Sequence, residues 1–245
     1  EKISVVGSAT NLSITAEEIE QYQASDLADI FRHSPSVSVG GSVGVAQKIY
    51  IRGVEDSLLN ITVDGAQQTS TLFHHIGRVT IDPDLLQQID VQAGAGEATS
   101  GPGAIGGSIR FKTKDAQDLL NQGEQFGGRV KASYFSNDGT RLSTSVYGKL
   151  SDTWGVLGYF STVDRENMED GDGDTIYGTA ADQDMMFIKA SGELADNHHL
   201  SISIEKRDEE GDFSARPNWA VQEGDALYPS EAERETYVAN YIFSH

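Results

Sequence analysis

From residue 126 onward the chain alternates between apolar and polar residues. The pattern recurs in Val130-x-Ala132-x-Tyr134, Leu142-x-Thr144-x-Val146, Val156-x-Gly158-x-Phe160, Met186-x-Ile188-x-Ala190, Leu200-x-Ile202-x-Ile204 and Tyr237-x-Ala239-x-Tyr241-x-Phe243. The opposite phase carries Lys131, Ser143, Ser145, Lys149, Lys189, Ser191, Glu193, Ser201, Ser203 and Glu205. Period two is strand geometry, because successive side chains point to opposite faces. Stretches of roughly ten residues, apolar on one face and polar on the other, are the pattern of transmembrane barrel strands. A soluble β-sandwich alternates as well, so connection lengths matter. They run short (137–139), short (151–152), long (164–184), short (195–198) and long (208–233). Both long connections are odd-numbered, which places them at one end of an antiparallel meander. Outer-membrane barrels have short periplasmic turns and long external loops. No run of about 18 apolar residues exists, so no transmembrane helix is expected.

These strands number about six; a membrane barrel closed around a plug, which the resemblance of residues 89–114 to a known family implies, needs about 22, and on that resemblance the sequence reads as the N-terminal third or so of a longer protein. The 38 acidic residues outnumber 18 basic ones, giving a net charge of −20. That disfavours a nucleic-acid binder. Cysteine is absent, which excludes disulfides and cysteine-ligated metal.

The first half mixes helix and strand signals. Thr15-Ala-Glu-Glu18 predicts a capping box and a helix to about Tyr22. Ser25 is expected to cap a second helix with Leu27, Ile30 and Phe31 on one face, ended by His33-Ser-Pro35. Strands are expected near 48–52 and 60–64. Asp82 with Pro83 predicts another cap. Between Ile89-Asp-Val91 and Ile109-Arg-Phe111 lie Gly94, Gly96, Gly101, Gly103, Gly106 and Gly107. The spacing is wrong for a P-loop. The competing reading is a plain glycine linker.

Residues 89–114 resemble the last block of the plug domain of TonB-dependent outer-membrane receptors, roughly I-E-V-x-R-G-P-x-S-x-x-Y-G-x-x-A-x-G-G-x-I-N-x-x-T-K. Ile89, Asp90, Val91, Gly94, Gly101, Ala104, Gly106, Gly107, Ile109, Thr113 and Lys114 match. Ala93, Ala95 and Ser100 depart from it, as in a divergent subgroup. Ile51-Arg52-Gly53 followed by Val63-Asp64-Gly65 resembles the family's I-R-G and D-G pair.

The resemblance implies an α+β plug over residues 1–122, then the first six or so strands of an antiparallel transmembrane barrel over 123–245. It implies a non-enzymatic receptor that takes up a ferric chelate, siderophore or haem, across the bacterial outer membrane. TonB with its inner-membrane energising complex would be its partner, and outer-membrane lipid would surround it. The chelate or haem is cargo, and no intrinsic cofactor is implied. Ile3, Val5 and Val6 resemble the TonB box or the strand just after it. Arg52, Gly53, Asp64, Gly65, Gly106 and Gly107 would be structural, with Arg52 and Asp64 facing the barrel wall. The alternative for that pair is a surface contact worth under about 1 kcal/mol. A rival from another class is a soluble acidic β-rich adhesin or Ca²⁺-binding interaction module.

Three clusters have ligand chemistry. Phe73-His74-His75 sits in an excursion of about 16 residues after Gly65, and long excursions in compact domains are usually functional. Its imidazoles suit ferric iron or haem; the alternative is two solvated loop histidines. Arg216-Pro-Asn-Trp219 offers a cation and an indole for an anionic or aromatic ligand, or else packs its own loop. Glu169-Asp-Gly-Asp-Gly-Asp174 offers hard oxygens for Ca²⁺, or is a solvated acidic loop.

Overall fold

The computed structural model describes residues 11–41, 44–68, 75–94, 101–222 and 224–244. The chain divides into two compact units, one of residues 1–40 with 47–113 and the other of 41–46 with 114–245.

The first unit opens with β1 (Asn11–Thr15), α1 (Ala16–Gln21) and α2 (Leu27–Phe31). The capping box forms: the Glu18 amide donates to Thr15 Oγ1 at 3.3 Å, and the Thr15 amide donates to Glu18 Oε2 at 2.8 Å. The second cap differs from the expected Ser25. Asp26 accepts from the Asp29 amide at 2.9 Å, while the Ser25 amide and hydroxyl donate to Asp29 Oδ2. Asp29 reaches back past the cap to the residue before it.

Next come β2 (Val37–Gly40), β3 (Lys48–Ile51) and β4 (Val54–Glu55), which form a three-stranded sheet in that order. Then follow β5 (Leu59–Val63), β6 (Ala66–Gln67), β7 (Leu86–Ala93) and β8 (Gly107–Thr113). With β1 they form a sheet of order β1-β7-β8-β5-β6, in which β5 and β8 run parallel. The motif pairs Arg52-Gly53 and Asp64-Gly65 are two-residue hairpin turns, flanked by Ile51↔Val54 and Val63↔Ala66. All four residues have positive φ: 50° and 81°, then 47° and 83°. That is the primed turn whose twist suits a hairpin. Ile19, Leu27, Ile30, Phe31, Ile61, Ile89, Ile109 and Phe111 form part of the core.

The described ends of the glycine-rich stretch are built into the sheet. β7 and β8 pair antiparallel on either side of it, Ile89 with Phe111 and Val91 with Ile109. A Cβ on Gly107 would lie 2.3 Å from the Gln92 carbonyl oxygen, and one on Gly106 would lie 2.3 Å from Val54 Cγ1. Backbone and side chain approach too closely there for any other residue.

The second unit is a meander of long strands. They are β9 (Phe126–Phe135), β10 (Gly139–Lys149), β11 (Trp154–Arg165), β14 (Ala181–Ala195), β15 (His198–Ser214) and β16 (Leu227–Phe243). A small hairpin of β12 (Met168–Glu169) and β13 (Thr175–Ile176) fills the third connection. Helix α3 (Ala116–Leu119) precedes the sheet. The fifth connection is shorter than the sequence suggests. β15 and β16 stay paired out to Ser214↔Leu227, because the acidic run keeps its alternation past Asp208.

Burial in this sheet is inverted relative to a soluble protein. Val130, Tyr134, Leu142, Val146, Phe160, Met186, Ile188, Ile202, Ile204, Tyr237 and Tyr241 are exposed, while Ser143, Lys189, Ser191, Ser201, Ser203 and Glu205 are buried. An aqueous sandwich would do the reverse, and an apolar exposed face this large needs a non-aqueous neighbour. The inner face also contains Leu157, Tyr159, Met185 and Phe187, all buried, so it is less polar than the alternation predicts. Beyond Ile204 and Tyr237 the outward positions turn charged, first Lys206 beside Glu235 and then acids. Asp182, Glu210 and Glu231 lie side by side, as do Asp184, Asp208 and Glu233. The apolar band ends there. β15 has 17 residues, about 56 Å of strand at ~3.3 Å per residue, against an apolar band of about 25 Å.

Candidate functional site

Four features carry the functional reading. The first is a turn in the first unit. Asp64, held in the left-handed region by its hairpin, accepts from the Thr113 amide at 2.9 Å and from the Thr113 hydroxyl. Thr113 is completely buried. One partner of Asp64 is thus the last residue of β8 in its own unit. The D-G and T-K blocks, far apart in sequence, form one device. Arg52 is exposed in its turn.

The second is a histidine. Phe73 and His74, like Ile3, Val5 and Val6, lie outside the described residues. His75 is described and is buried, 6 % exposed. Val79 and Ile81, within the expected excursion, are core residues. Nearby, Lys48 pairs with Glu55, and burial pushes the Asp56 carboxyl above its ordinary range despite Lys48 and Arg78 close by.

The third is a clamp inside the second unit. Residues Gly44–Ala46 form a 3-10 turn. The Val45 amide donates to Glu209 Oε1 at 2.9 Å, and Glu209 is buried. Arg207 lies 3.8 Å from Glu209 and donates to Gln183 Oε1 at 2.9 Å. A Cβ on Gly44 would sit 2.4 Å from Gln183 Nε2. Further along β14, Lys189 pairs with Asp115 at 2.9 Å, and a Cβ on Gly155 would meet Ala116 Cβ at 2.9 Å. The segments on either side of residues 47–113 are thus each fastened to the strands. None of Gly44, Gln183, Glu209, Lys189 or Asp115 was singled out from sequence as a site residue. For Glu209 the signal was available, since Glu205, Arg207 and Glu209 extend the inward-facing phase.

The fourth is a cleft of about 470 Å³ in the 215–226 connection, which Arg216, Trp219 and Tyr228 help to line. The Arg216 guanidinium lies over the Trp219 indole, 4.7 Å from its centroid. The two predicted residues are thus brought together and both line the cleft. By contrast, the acidic loop is occupied with itself. Asp170 Oδ1 accepts from the Asp172 and Asp174 amides at 2.9 and 3.0 Å, and these bonds hold its carboxyl below the usual range. No three His, Asp or Glu side chains converge as a metal site among the described residues. His198 is in β15 and stacks against Tyr241 and Phe243.

The connections gather at one end of the meander. The Glu169 amide donates to Asn137 Oδ1 at 2.9 Å, joining the third connection to the first. A Cβ on Gly178 would be 3.0 Å from Leu227, so the third and fifth also meet.

Comparison with known proteins agrees with this architecture. The TonB-dependent receptor plug domain model matches residues 1–108. The chain is 36 % identical over 229 residues to heme transporter BhuA of Brucella suis biovar 1 (strain 1330), covering 93 % of this chain and 34 % of that protein. It is 30 % identical over 186 residues to the hemin receptor of Yersinia enterocolitica, covering 75 % of this chain and 26 % of that one. The FrpB iron transporter from Neisseria meningitidis (F3-3 variant) superposes with a TM-score of 0.86 at 28 % identity, over 95 % of this chain and 37 % of that structure. The chain therefore spans between about a quarter and just over a third of the length of these relatives.

Proposed function

The chain belongs to the TonB-dependent receptors, a family of outer-membrane receptors and transporters rather than enzymes, and we propose that the receptor it forms part of takes up haem or a ferric chelate. Residues 1–122 serve as the plug and 123–245 as the first strands of the barrel. The observation that carries this reading is the six-stranded sheet whose apolar residues face outward while its polar residues are buried. That face suits lipid and disfavours a soluble adhesin. Haem is the favoured cargo because the 36 % identical relative covering nearly all of this chain is a heme transporter.

Ligand arrives at the end where the long connections gather. TonB engages the segment containing Ile3, Val5 and Val6, whose β-propensity suits strand addition, and pulling there rearranges the plug. Phe73 and His74 present an aromatic face and an imidazole to the ligand, with His75 as a second candidate. Imidazole coordinates metal only when neutral, so haem affinity falls as the pH is lowered.

Titrating haem and ferric siderophores into the full-length receptor, followed by the Soret band and by intrinsic fluorescence, tests this. Saturable haem binding that His74→Ala weakens supports it. Saturable binding of a ferric siderophore with none of haem would reassign the cargo. Because His75 is buried, His75→Ala is read together with protease resistance, which separates lost packing from lost coordination.

A further inference from the structure

We propose that the cleft at the outer end of β15 and β16 is a subsite for the carboxylate edge of a planar tetrapyrrole, a proposal that rests on the haem reading above. Its lining includes Ser214, Arg216, Trp219, Gln222, Asp225 and Tyr228 around about 470 Å³. That volume falls within the roughly 300–1,000 Å³ of small-molecule sites.

The chemistry of the lining selects the ligand. Arg216 is the one cation among the lining residues. The indole under its guanidinium holds the planar group by one face, which leaves the edge donors of the fork for a carboxylate. The acid in the cleft, Asp225, already accepts from the Gln222 amide at 2.9 Å. The loop is braced around the pair: the Trp219 amide donates to the Arg216 carbonyl at 2.9 Å, and the Arg216 amide donates to Ser214 Oγ at 3.2 Å. Trp219 and Tyr228 are 57 % and 55 % exposed, which places accessible aromatic surface beside the cation. Tyr228 pairs in register with Phe213, a buried residue in phase with Arg207 and Glu209, which puts the cleft on the inner side of the sheet. A flat apolar ring with carboxylates at its rim satisfies both the rings and the cation. A ferric catecholate offers neither a carboxylate nor an extended flat face.

The test uses the full-length receptor in detergent, titrated with ferric protoporphyrin IX, its dimethyl ester and a ferric catecholate. Wild type binds the free acid at least about tenfold more tightly than the ester, the size expected of one charge-assisted hydrogen bond. Arg216→Gln binds acid and ester equally, Arg216→Lys keeps part of the preference, and Trp219→Ala weakens both ligands together. Wild-type-like surface expression and protease patterns establish that the variants fold. If Arg216→Gln keeps the full preference, the subsite is overturned while the haem reading stands. If wild type binds the catecholate and neither porphyrin, the haem reading falls and the subsite with it.

Discussion

The Val45 amide donates to the carboxylate of Glu209, a residue 164 positions later in the chain and nearly inaccessible to solvent. A buried amide that loses its acceptor costs about 1–3 kcal/mol. Glu209→Ala is therefore expected to free the 44–46 turn, and Glu209→Gln, which keeps an acceptor, is not. Hydrogen exchange on the full-length receptor reads this directly at Val45. Exchange should accelerate by roughly one to two orders of magnitude in the alanine variant, with the glutamine variant near wild type. Equal exchange in all three proteins would mean the bond does not hold the turn.

Asp64 and Thr113 make the matching prediction in the first unit. Asp64→Ala removes the acceptor for two donors of a fully buried residue. It also places alanine at a φ of 47°, where aspartate and asparagine are better tolerated. The expected cost is about 2–4 kcal/mol, combining hydrogen bonds to a charged group with backbone strain. Asp64→Asn should cost less than half of that. The measure is protection of the Thr113 amide and protease resistance of the plug. An alanine variant as protected as wild type would separate the D-G turn from the end of β8.

The outward and inward faces of the strands should respond differently to charge. Ile202 lies in the exposed apolar band, and a lysine near mid-bilayer costs about 2–4 kcal/mol. Thr236 is on the opposite face, in register with Glu205, where a lysine meets a carboxylate. Ile202→Lys should lower the amount of heat-modifiable, assembled receptor, and Thr236→Lys should leave it near wild type. Indistinguishable assembly would argue against lipid on the apolar face.

Asp56 gives a pH prediction. Burial raises its folded pKa, so its contribution to stability is fully present below the ordinary aspartate pKa of about 3.9 and is lost as pH rises through the folded value. Asp56→Asn should therefore make the plug more resistant to urea-induced loss of structure at pH 7, with the gain vanishing near pH 3.5. A variant that is less stable at pH 7 would show that the pairing with Lys48 and Arg78 outweighs the burial.

Much of the fold was legible because it follows local rules. Thr15 and Glu18 announce a capping box, Asp64-Gly65 announces a turn, and Val130 to Phe243 announce strands by period two. Features that needed a distant partner were not legible. Nothing near Asp64 says that Thr113 will donate to it. Asp26 rather than Ser25 caps α2 because of where the Asp29 carboxylate turns, a choice between neighbours that propensity does not make. The apolar inner residues Leu157 and Phe187 break the polar-inside expectation at positions the alternation cannot distinguish from any other. At the cleft, Arg216 and Trp219 were visible as a cation and an indole three residues apart. Tyr228 was not, because the register of β15 with β16 brings it in from the far side of the loop.

Growth on haem is the most direct measure of the proposed energy-coupled uptake. The full-length receptor is expressed in a host lacking its own haem receptors, with haem as the sole iron source, with and without TonB. Growth is expected with TonB and none without it. Ile3→Pro, which fixes φ and removes a backbone donor from the proposed coupling segment, is expected to abolish growth while haem binding to the purified receptor persists. Growth that is equal with and without TonB would contradict energy-coupled uptake.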